Sequence, residues 1–320
     1  MPKISVIIPC YNSGSYIIRC LKALECQSFK DFDVFVIDDC SSDNSVQTIE
    51  EYLTSSLMKI HLLKNTINSG PAASRKRGII ASNADFICFC DSDDWYDDGY
   101  LQEMVSAQAV NDADVVFCSF RLAFDSGKKT ERLVVYGEGE LSDKQKVMLK
   151  APDSLCLMMV RRDILLNVPH PDMRNGEDMA LIPLILSQAD RFAAVNKCMY
   201  NYYCRKDSAS MKPTMKMIES LEASFSFINK NLSDEFQEEK EYIGIRNLLY
   251  GALLNLFKFS FNRKKANQIK NDFEKSFPLW HKNPNYGELP LSKRVFLKCV
   301  EKRRWLLAKS ISHIHSILLK

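Results

Sequence analysis

Three carboxylates lie within four positions, directly after a run of five apolar residues. Residues 86–90 are all apolar, as in a strand buried on both faces of a parallel sheet, and Asp91, Asp93 and Asp94 follow at once. In open α/β sheets, ligands bind just beyond the carboxyl ends of the strands. Carboxylates this close repel one another unless a positive partner lies among them, and Mg²⁺ and Mn²⁺ prefer carboxylate oxygens. We therefore expect a divalent-cation site here.

Two further acidic pairs stand where elements begin or end. Asp38 and Asp39 end an apolar run, and Glu177 and Asp178 open a pattern with helical periodicity. An Asp-x-Asp pattern by itself is a weak signal, because aspartates that cap a helix beginning near residue 97 would have the same composition. These acidic pairs indicate a ligand site only if the elements between them fold so that the pairs lie close together.

Apolar runs that alternate with helical patterns organise the first two-thirds of the chain. Predicted strands at residues 4–9, 32–37, 60–63 and 86–90 alternate with helices at about thirty residues per unit, as in right-handed βαβ units of a parallel sheet. The polar clusters at the strand ends should then meet in one crevice. The later elements are predicted as a helix at 101–110, strands at 115–118 and 155–160, a hairpin or loop within 121–140, a helix from 176 that contains Pro183, and a strand pair at 193–203.

The character of the chain changes near residue 211, where long Lys-rich segments with helical periodicity replace the strands. Residues 251–320 carry fifteen Lys or Arg against four Asp or Glu. We predict two domains, residues 1–210 with the candidate ligand site and residues 211–320 with a helical basic structure. The basic helices suit either association with an anionic inner membrane leaflet or formation of a homo-oligomer.

Composition is that of an ordinary soluble protein, with 320 residues, 26% charged residues and a net charge of +3. The eleven cysteines include no Cys-x-x-Cys pair, which favours buried free thiols in a reducing compartment over a disulfide framework or a zinc site. No apolar run approaches membrane-spanning length. We expect a cytoplasmic protein, either free or peripheral on the cytoplasmic face of a membrane.

Five motifs, in order, resemble those of the family 2 inverting nucleotide-sugar glycosyltransferases, the type that builds bacterial cell-surface polysaccharides. They are residues 7–12 (IIPCYN), 36–43 (VIDDCSSD), 68–78 (NSGPAASRKRG), 89–94 (FCDSDD) and 177–178 (ED). The resemblance covers about residues 3–210. It implies the GT-A fold, a Rossmann-like α/β architecture with a mixed, mostly parallel sheet flanked by helices.

The resemblance also implies roles for residues at the strand ends. Pro9, Tyr11 and Asn12 correspond to the loop that flanks the nucleotide base, on which the Tyr11 ring can stack. Asp39 corresponds to the acceptor of a base N–H, and the neighbouring Asp38 is assigned a structural role. Arg75 corresponds to a positive residue near the nucleotide, although a surface position on its helix is equally compatible with the sequence.

The Asp-x-Asp segment and a later loop complete the implied donor site. Asp91 is placed to hold the ribose, with Ser92 beside it, and Asp93 is placed to bind Mn²⁺ or Mg²⁺ together with the donor phosphates. Asp94 either orients this pair or caps a helix. Arg205, in a loop at 203–210 that also contains Ser208, is placed to contact the diphosphate.

Asp178 is the implied catalytic base. The resemblance predicts that it removes the proton from an acceptor hydroxyl, which attacks the anomeric carbon of a sugar nucleotide with inversion. The sugar nucleotide that the resemblance implies is a UDP-sugar. The acceptor would be a glycan or a lipid-linked glycan. The alternative for Glu177 and Asp178 is that they only stabilise a helix N-terminus.

Four other functions fit parts of the sequence. A nucleotidyltransferase would need a Gly-rich phosphate loop after the first strand, and residues 10–14 contain none; a dinucleotide-dependent oxidoreductase would need Gly-x-Gly-x-x-Gly there. A non-catalytic sugar-nucleotide binder would not require the intact Asp93 and Asp178. A nucleic-acid binder would need aromatic residues interleaved with the basic ones in the C-terminal region, and they are not interleaved. No nucleic-acid partner is expected.

Overall fold

The structure is a computed structural model that describes residues 1–137, 139–205 and 214–318, with side chains to residue 314. The chain divides into two compact units, residues 1–206 and 207–320. The predicted domain boundary between residues 210 and 211 lies outside the described residues.

Unit 1 is built on one mixed sheet, with nine strands among the described residues and the order β3-β2-β1-β4-β8-β6-β9-β5, with β7 paired to β6. Pairing is parallel among β3, β2, β1 and β4 and between β6 and β9, and antiparallel in the other pairs. The strands are β1 Ile4–Cys10, β2 Phe32–Asp38, β3 Ile60–Lys64, β4 Phe86–Phe89, β5 Trp95–Tyr96, β6 Val115–Ala123, β7 Lys129–Arg132, β8 Met158–Arg161 and β9 Phe192–Tyr203.

Helices connect the parallel strands, as the predicted βαβ units require. In unit 1 they are α1 Ile17–Glu25, α2 Ser45–Leu53, α3 Pro71–Ala81, α4 Tyr100–Asn111, α5 Lys144–Lys150, α6 Arg162–Asn167 and α7 Glu177–Gln188. α3 lies close against the sheet because Gly78 has no side chain: a Cβ there would stand 2.6 Å from Ile7 Cγ2 and 3.0 Å from Ile37 Cδ1. That approach fixes the start of α3, and with it Arg75, next to the ends of β1 and β2.

Several predicted elements differ from the structure. The prediction of a strand pair at 193–203 is wrong, because these residues belong to one continuous strand, β9. The pairing of β9 with β6 shifts register near Ser119. The strand predicted at 155–160 begins as a 3₁₀ turn, Leu155–Leu157, and only then becomes β8. The hairpin predicted within 121–140 is confirmed as β6 and β7.

Unit 2 is helical in its described residues, as predicted. Its helices are α8 Met215–Asn231, α9 Gln237–Gly244, α10 Leu253–Phe259, α11 Arg263–Ser276, α12 Leu291–Glu301 and α13 Trp305–Leu318, with a π-helical segment Ile245–Ala252 between α9 and α10. The aromatic side chains of Phe225, Phe273 and Phe277 form part of its core. Within the described part of the chain, no helix combines the length and the apolar character needed to cross a bilayer.

All eleven cysteines are free thiols, and eight of them are buried. Burial raises the pKa of Cys10 to about 12 and that of Cys88 well above its ordinary value, so these thiols stay protonated at neutral pH. This agrees with the prediction of buried thiols rather than a disulfide framework.

Candidate active site

The loops after β1, β2 and β4 are hydrogen-bonded to one another. Asn12 has a left-handed backbone (φ 49°), its N–H donates to Ser41 Oγ at 3.0 Å, and its side-chain Oδ1 accepts from the Ser42 N–H at 2.9 Å. Ser92 Oγ donates to Ser13 Oγ at 2.7 Å. Three predicted site segments, far apart in sequence, are therefore joined at one edge of the sheet.

Tyr11 lies at the outer side of this edge. Its side chain is 51% exposed, so one ring face is accessible to a planar ligand. Pro9 is the penultimate residue of β1 and pairs with Ile37 of β2, which sets the point where the chain leaves the sheet toward Tyr11. The exposed ring on a loop with fixed ends is suited to stacking on a base.

Asp39 is buried and anchors the loop that leads into α3. Its Oδ1 accepts from Asn65 Nδ2 at 2.7 Å and from the Ser69 N–H at 3.0 Å, and its Oδ2 accepts from the Gly70 N–H at 2.7 Å. Gly70 has φ +88°, a conformation that glycine adopts without strain. Because a carboxylate has about four acceptor positions, Asp39 keeps room for one more donor, such as a base N–H.

Arg75 is buried, and its guanidinium contacts three carboxylates. Its Nη2 donates to Asp91 Oδ1 at 2.7 Å, and its Nη1 donates to Glu177 Oε1 at 2.5 Å and to Asp178 Oδ1 at 3.3 Å. Burial by itself lowers the pKa of Arg75, but Asp178 and Asp91 outweigh it and raise the pKa well above its ordinary value. The interpretation of Arg75 as a surface residue is therefore wrong, because its side chain is buried. Its planar guanidinium links the loop after β4 to the start of α7.

The acidic pair occupies the first turn of α7. Asp178 is 20% exposed, and its Oδ2 accepts from the Leu155 N–H at 3.2 Å. Burial raises the pKa of Asp178, Arg75 lowers it, and Asp91 raises it, with a net increase. A carboxylate with a raised pKa is a stronger base, so the site favours proton acceptance at Asp178.

Glu177 belongs to a cluster in which carboxylates outnumber positive groups. Three carboxylates surround one guanidinium, so full ionisation would leave an excess of negative charge. Burial, followed by the neighbouring Asp178, raises the pKa of Glu177 to about 7 against the effect of Arg75.

Glu177 is expected to make the donor-free protein less stable as the pH rises through about 7. The pKa of Glu177 in the folded protein, about 7, lies above its ordinary value of 4.5. At pH values between these two, the folded state binds more protons than the unfolded chain. The stabilisation is full below about pH 4.5 and is lost as the pH rises past about 7. Melting temperatures from about pH 5 to about pH 8 should therefore fall more steeply for wild type than for Glu177→Gln, whose amide does not ionise. Parallel curves would contradict this assignment.

Asp93 lies between two arginines. Burial raises its pKa, Arg205 lowers it, and Asp91 raises it, with a net increase. Its Oδ2 pairs with Arg205 Nε at 2.9 Å, and its carbonyl oxygen accepts from Arg19 Nη2 at 2.6 Å. Ser208 and the rest of the predicted loop beyond residue 205 lie outside the described residues.

Asp94 anchors the end of β9. Its Oδ2 accepts from the Tyr200 hydroxyl at 2.5 Å and its Oδ1 from the Tyr203 N–H at 2.7 Å. The interpretation of Asp94 as a helix cap is wrong, because α4 begins only at Tyr100 after Gly99. Asp94 thus holds the Asp-x-Asp segment against β9, which leaves Asp91 and Asp93 to face a ligand.

The residues around Asp93 fit a divalent cation. Carboxylate oxygens are hard ligands, and a positive group already contacts the Asp93 carboxylate in the form of the Arg205 guanidinium. Among the described residues, no three His, Cys, Asp or Glu side chains converge as a complete cage. Ions that take one or two protein carboxylates and complete their coordination with substrate phosphates and water do not need such a cage.

Two residues that support the site were missed by sequence reasoning. Gln27, just after α1, donates from Nε2 to the Asp97 carbonyl at 2.8 Å and accepts from the Leu101 N–H at 3.0 Å, which ties α1 to the segment after Asp94. Arg19 lies in α1 among residues with ordinary helical periodicity. A buried glutamine after a helix is a weak signal, and nothing local distinguishes Arg19, because its contacts are more than seventy residues away.

Residues 5–168 match the model of the family described as glycosyl transferase family 2. The putative glycosyltransferase EpsH of Bacillus subtilis is 33% identical over 131 residues, which are 40% of this chain and 37% of that protein. The poly(ribitol-phosphate) beta-N-acetylglucosaminyltransferase TarS of Staphylococcus aureus is 24% identical over 283 residues, which are 88% of this chain and 48% of that protein. The chain thus spans less than half the length of these two curated relatives.

Solved structures share the fold. The structure of S. aureus TarS 1–349 in complex with UDP superposes with a TM-score of 0.69 at 18% identity, covering 98% of this chain and 91% of that one. The mannosyltransferase PcManGT from Pyrobaculum calidifontis superposes with a TM-score of 0.60 at 14% identity, covering 98% of this chain and 87% of that one. The mixed α/β sheet expected of a GT-A fold is therefore confirmed. Because the family model spans just over half of its 320 residues, the chain belongs to glycosyltransferase family 2.

Proposed function

We propose that unit 1 transfers a sugar from a nucleotide donor, a UDP-sugar, to a hydroxyl of a glycan or lipid-linked acceptor, with inversion. One observation carries this proposal: Arg75 joins Asp91, on the donor side, to Asp178, at the start of α7, through contacts of 2.7 and 3.3 Å. A donor-holding carboxylate and a base with a raised pKa are thus close enough to act on one bond.

The donor would be held by the residues of the three joined loops. Tyr11 stacks on the base, Asp39 accepts a base N–H with its remaining acceptor position, and Asp91 holds the ribose, with Ser92 fixing the segment between them. Uridine is favoured because TarS was solved with UDP and with UDP-GlcNAc, whereas PcManGT was solved with GDP-Man and Mn²⁺.

Asp93 would hold a Mn²⁺ or Mg²⁺ ion together with the donor phosphates. When bound, such an ion neutralises negative charge on the leaving diphosphate. Arg205, which pairs with the Asp93 carboxylate at 2.9 Å, is well placed to turn its guanidinium to the phosphate oxygens instead.

Asp178 would take the proton. The acceptor oxygen forms its bond to the anomeric carbon as its proton passes to a carboxylate oxygen of Asp178, and the bond from the anomeric carbon to the diphosphate breaks with its electron pair on the phosphate oxygen. Arg75 and the Leu155 N–H hold the Asp178 carboxylate in place. A single displacement inverts the anomeric configuration, so no covalent intermediate with the enzyme forms.

A panel of UDP- and GDP-sugars, each with Mn²⁺ or Mg²⁺, tests the proposal. We expect one UDP-sugar with a cation to raise the melting temperature and to be slowly hydrolysed, because water can replace the acceptor, whereas GDP-sugars should do neither. Stabilisation by a GDP-sugar instead would overturn the assignment of the base. Stabilisation without any turnover on addition of acceptors would favour a non-catalytic binder.

The basic helices of unit 2 support a peripheral membrane location, where a lipid-linked acceptor would be found. Apolar side chains are exposed on α12 and α13, and Lys298, Lys302 and Arg304 are exposed near them. The exposed apolar residues are Leu291, Val295, Leu306, Leu307 and Ile314. Apolar side chains beside basic ones suit a bilayer surface that carries anionic lipids.

Vesicle co-sedimentation tests this location. The protein should bind phosphatidylglycerol vesicles and not phosphatidylcholine vesicles, and Lys302→Glu combined with Arg304→Glu should weaken binding about tenfold or more. Lys22→Glu, at an exposed position of α1, is the matched control and should bind as wild type does. Equal binding by all variants, or a stable oligomer without vesicle binding, would instead favour the oligomerisation role.

A further inference from the structure

Arg19 is held between two aromatic rings beside the proposed cation site. Its Cζ lies 4.1 Å from the centroid of the Trp95 ring and 4.1 Å from that of the Tyr203 ring. Its Nη2 donates to the carbonyl oxygen of Asp93 at 2.6 Å. The contacts thus connect α1, β5 and the end of β9 to the one residue assigned to the cation.

These contacts restrict the Asp93 backbone. Arg19 holds the carbonyl of Asp93, and the next residue, Asp94, is held by Tyr200 and Tyr203. With both positions fixed, the peptide after Asp93 cannot rotate freely, and so the direction in which the Asp93 side chain leaves the backbone is set. A guanidinium stacked on two rings is well suited to this task, because it is planar and loses little freedom when it binds.

The guanidinium keeps this position at some cost in free energy. Its Nε–H is buried and has no hydrogen-bond partner among the described residues. A buried donor without a partner destabilises the folded protein. An arginine that only stabilised α1 could turn this group to solvent, so its buried position beside Asp93 points to a role in the site.

Two arginines therefore contact Asp93 in different ways. Arg205 pairs with its carboxylate, where the cation would bind, and Arg19 binds its carbonyl, which the cation leaves untouched. A cation bound at Asp93 Oδ2 would displace the first contact and could keep the second. Removal of Arg205 should thus strengthen binding of the metal alone, and removal of Arg19 should weaken it.

We propose that Arg19 is a positioning residue for sugar transfer: it fixes the Asp93 peptide so that the carboxylate meets the cation and the donor diphosphate. This inference rests on the proposed function, because it takes Asp93 as the cation ligand.

Binding of Mn²⁺ to the full-length protein, measured from the EPR signal of free Mn²⁺ with and without UDP, tests this role. Arg19→Met should weaken Mn²⁺ binding about tenfold or more, as loss of groups that orient a metal ligand does. Arg19→Lys keeps the charge but loses the planar stacking, and should recover part of the affinity. Lys22→Met, which removes an exposed charge from the same helix, should bind Mn²⁺ as wild type does.

Two further variants separate positioning from folding. Arg205→Ala should tighten binding of Mn²⁺ alone, because it removes a competitor, and Trp95→Leu should weaken it as Arg19→Met does, because it removes one of the stacked rings. In turnover, Arg19→Met should raise the Mn²⁺ concentration needed for half-maximal rate, with kcat restored at saturating Mn²⁺.

The failure of this inference can be distinguished from failure of the proposed function. Wild-type Mn²⁺ affinity in Arg19→Met and in Trp95→Leu, together with loss of binding in Asp93→Ala, would overturn the role of Arg19 alone. Wild-type Mn²⁺ affinity in Asp93→Ala would overturn the cation assignment and this inference with it.

Discussion

Replacement of Asp178 by asparagine is expected to lower kcat about 10³-fold, with donor affinity unchanged within about twofold. The asparagine side chain keeps the size of Asp178, and its amide oxygen can accept from Arg75, but it takes no proton from the acceptor. Asp178 is assigned no direct contact with the nucleotide, and asparagine can keep the contact with Arg75, so donor binding should change little. The measurement pairs turnover of the donor identified in the panel with its stabilisation of the protein against heat.

Glu177→Gln is the control for Asp178→Asn, because both replace a carboxyl that contacts Arg75 by an amide. It should keep most of the turnover, since Glu177 is buried, its pKa is raised to about 7, and glutamine keeps an oxygen that can accept from Arg75. If Glu177→Gln lost about 10³-fold while Asp178→Asn remained active, the base would be Glu177. Full turnover by both variants would place the base elsewhere.

Asp93→Ala is expected to abolish the effect of Mn²⁺ on donor binding and to reduce turnover about 10³-fold or more. Asp93 supplies the carboxylate assigned to the cation, while Asp91 is occupied by Arg75 and Asp94 by Tyr200 and Tyr203. Asp94 therefore cannot replace it without breaking these contacts, and Asp91 would have to serve Arg75 and the cation at once. Donor titrations with and without Mn²⁺, monitored by calorimetry, measure the loss of the Mn²⁺ effect on donor binding.

Asp98→Ala provides the matched control for Asp93→Ala. Asp98 is an exposed aspartate five positions further along the chain, and the contact seen for it uses its backbone carbonyl, which accepts from the Ser28 N–H. Its replacement changes the net charge equally and should leave the dependence on Mn²⁺ intact. A normal response to Mn²⁺ in Asp93→Ala would require a different cation ligand.

The roles assigned to the strand-end residues differ in how far local sequence could predict them. The alternation of strands and helices placed the loops of Tyr11, Asp39 and Asp91 at one sheet edge, and the structure brings them together there. The three internal bonds of Asp39 and the anchoring of Asp94 by β9 depend on segments tens of residues away. Sequence patterns do not contain such pairings, because many polar residues could satisfy either carboxylate.

The sequence by itself determined the parallel βαβ half of the sheet, the helical second unit and the positions of the acidic motifs. Hydrophobic periodicity and strand-end placement depend on neighbouring residues, so they can be inferred from local pattern. Only the tertiary structure decided that Arg75 is buried among Asp91, Glu177 and Asp178, and that Arg19 lies between Trp95 and Tyr203. Those contacts join residues 16 to 184 positions apart, and they form because packing of α1, α3 and α7 on the sheet brings these distant residues together.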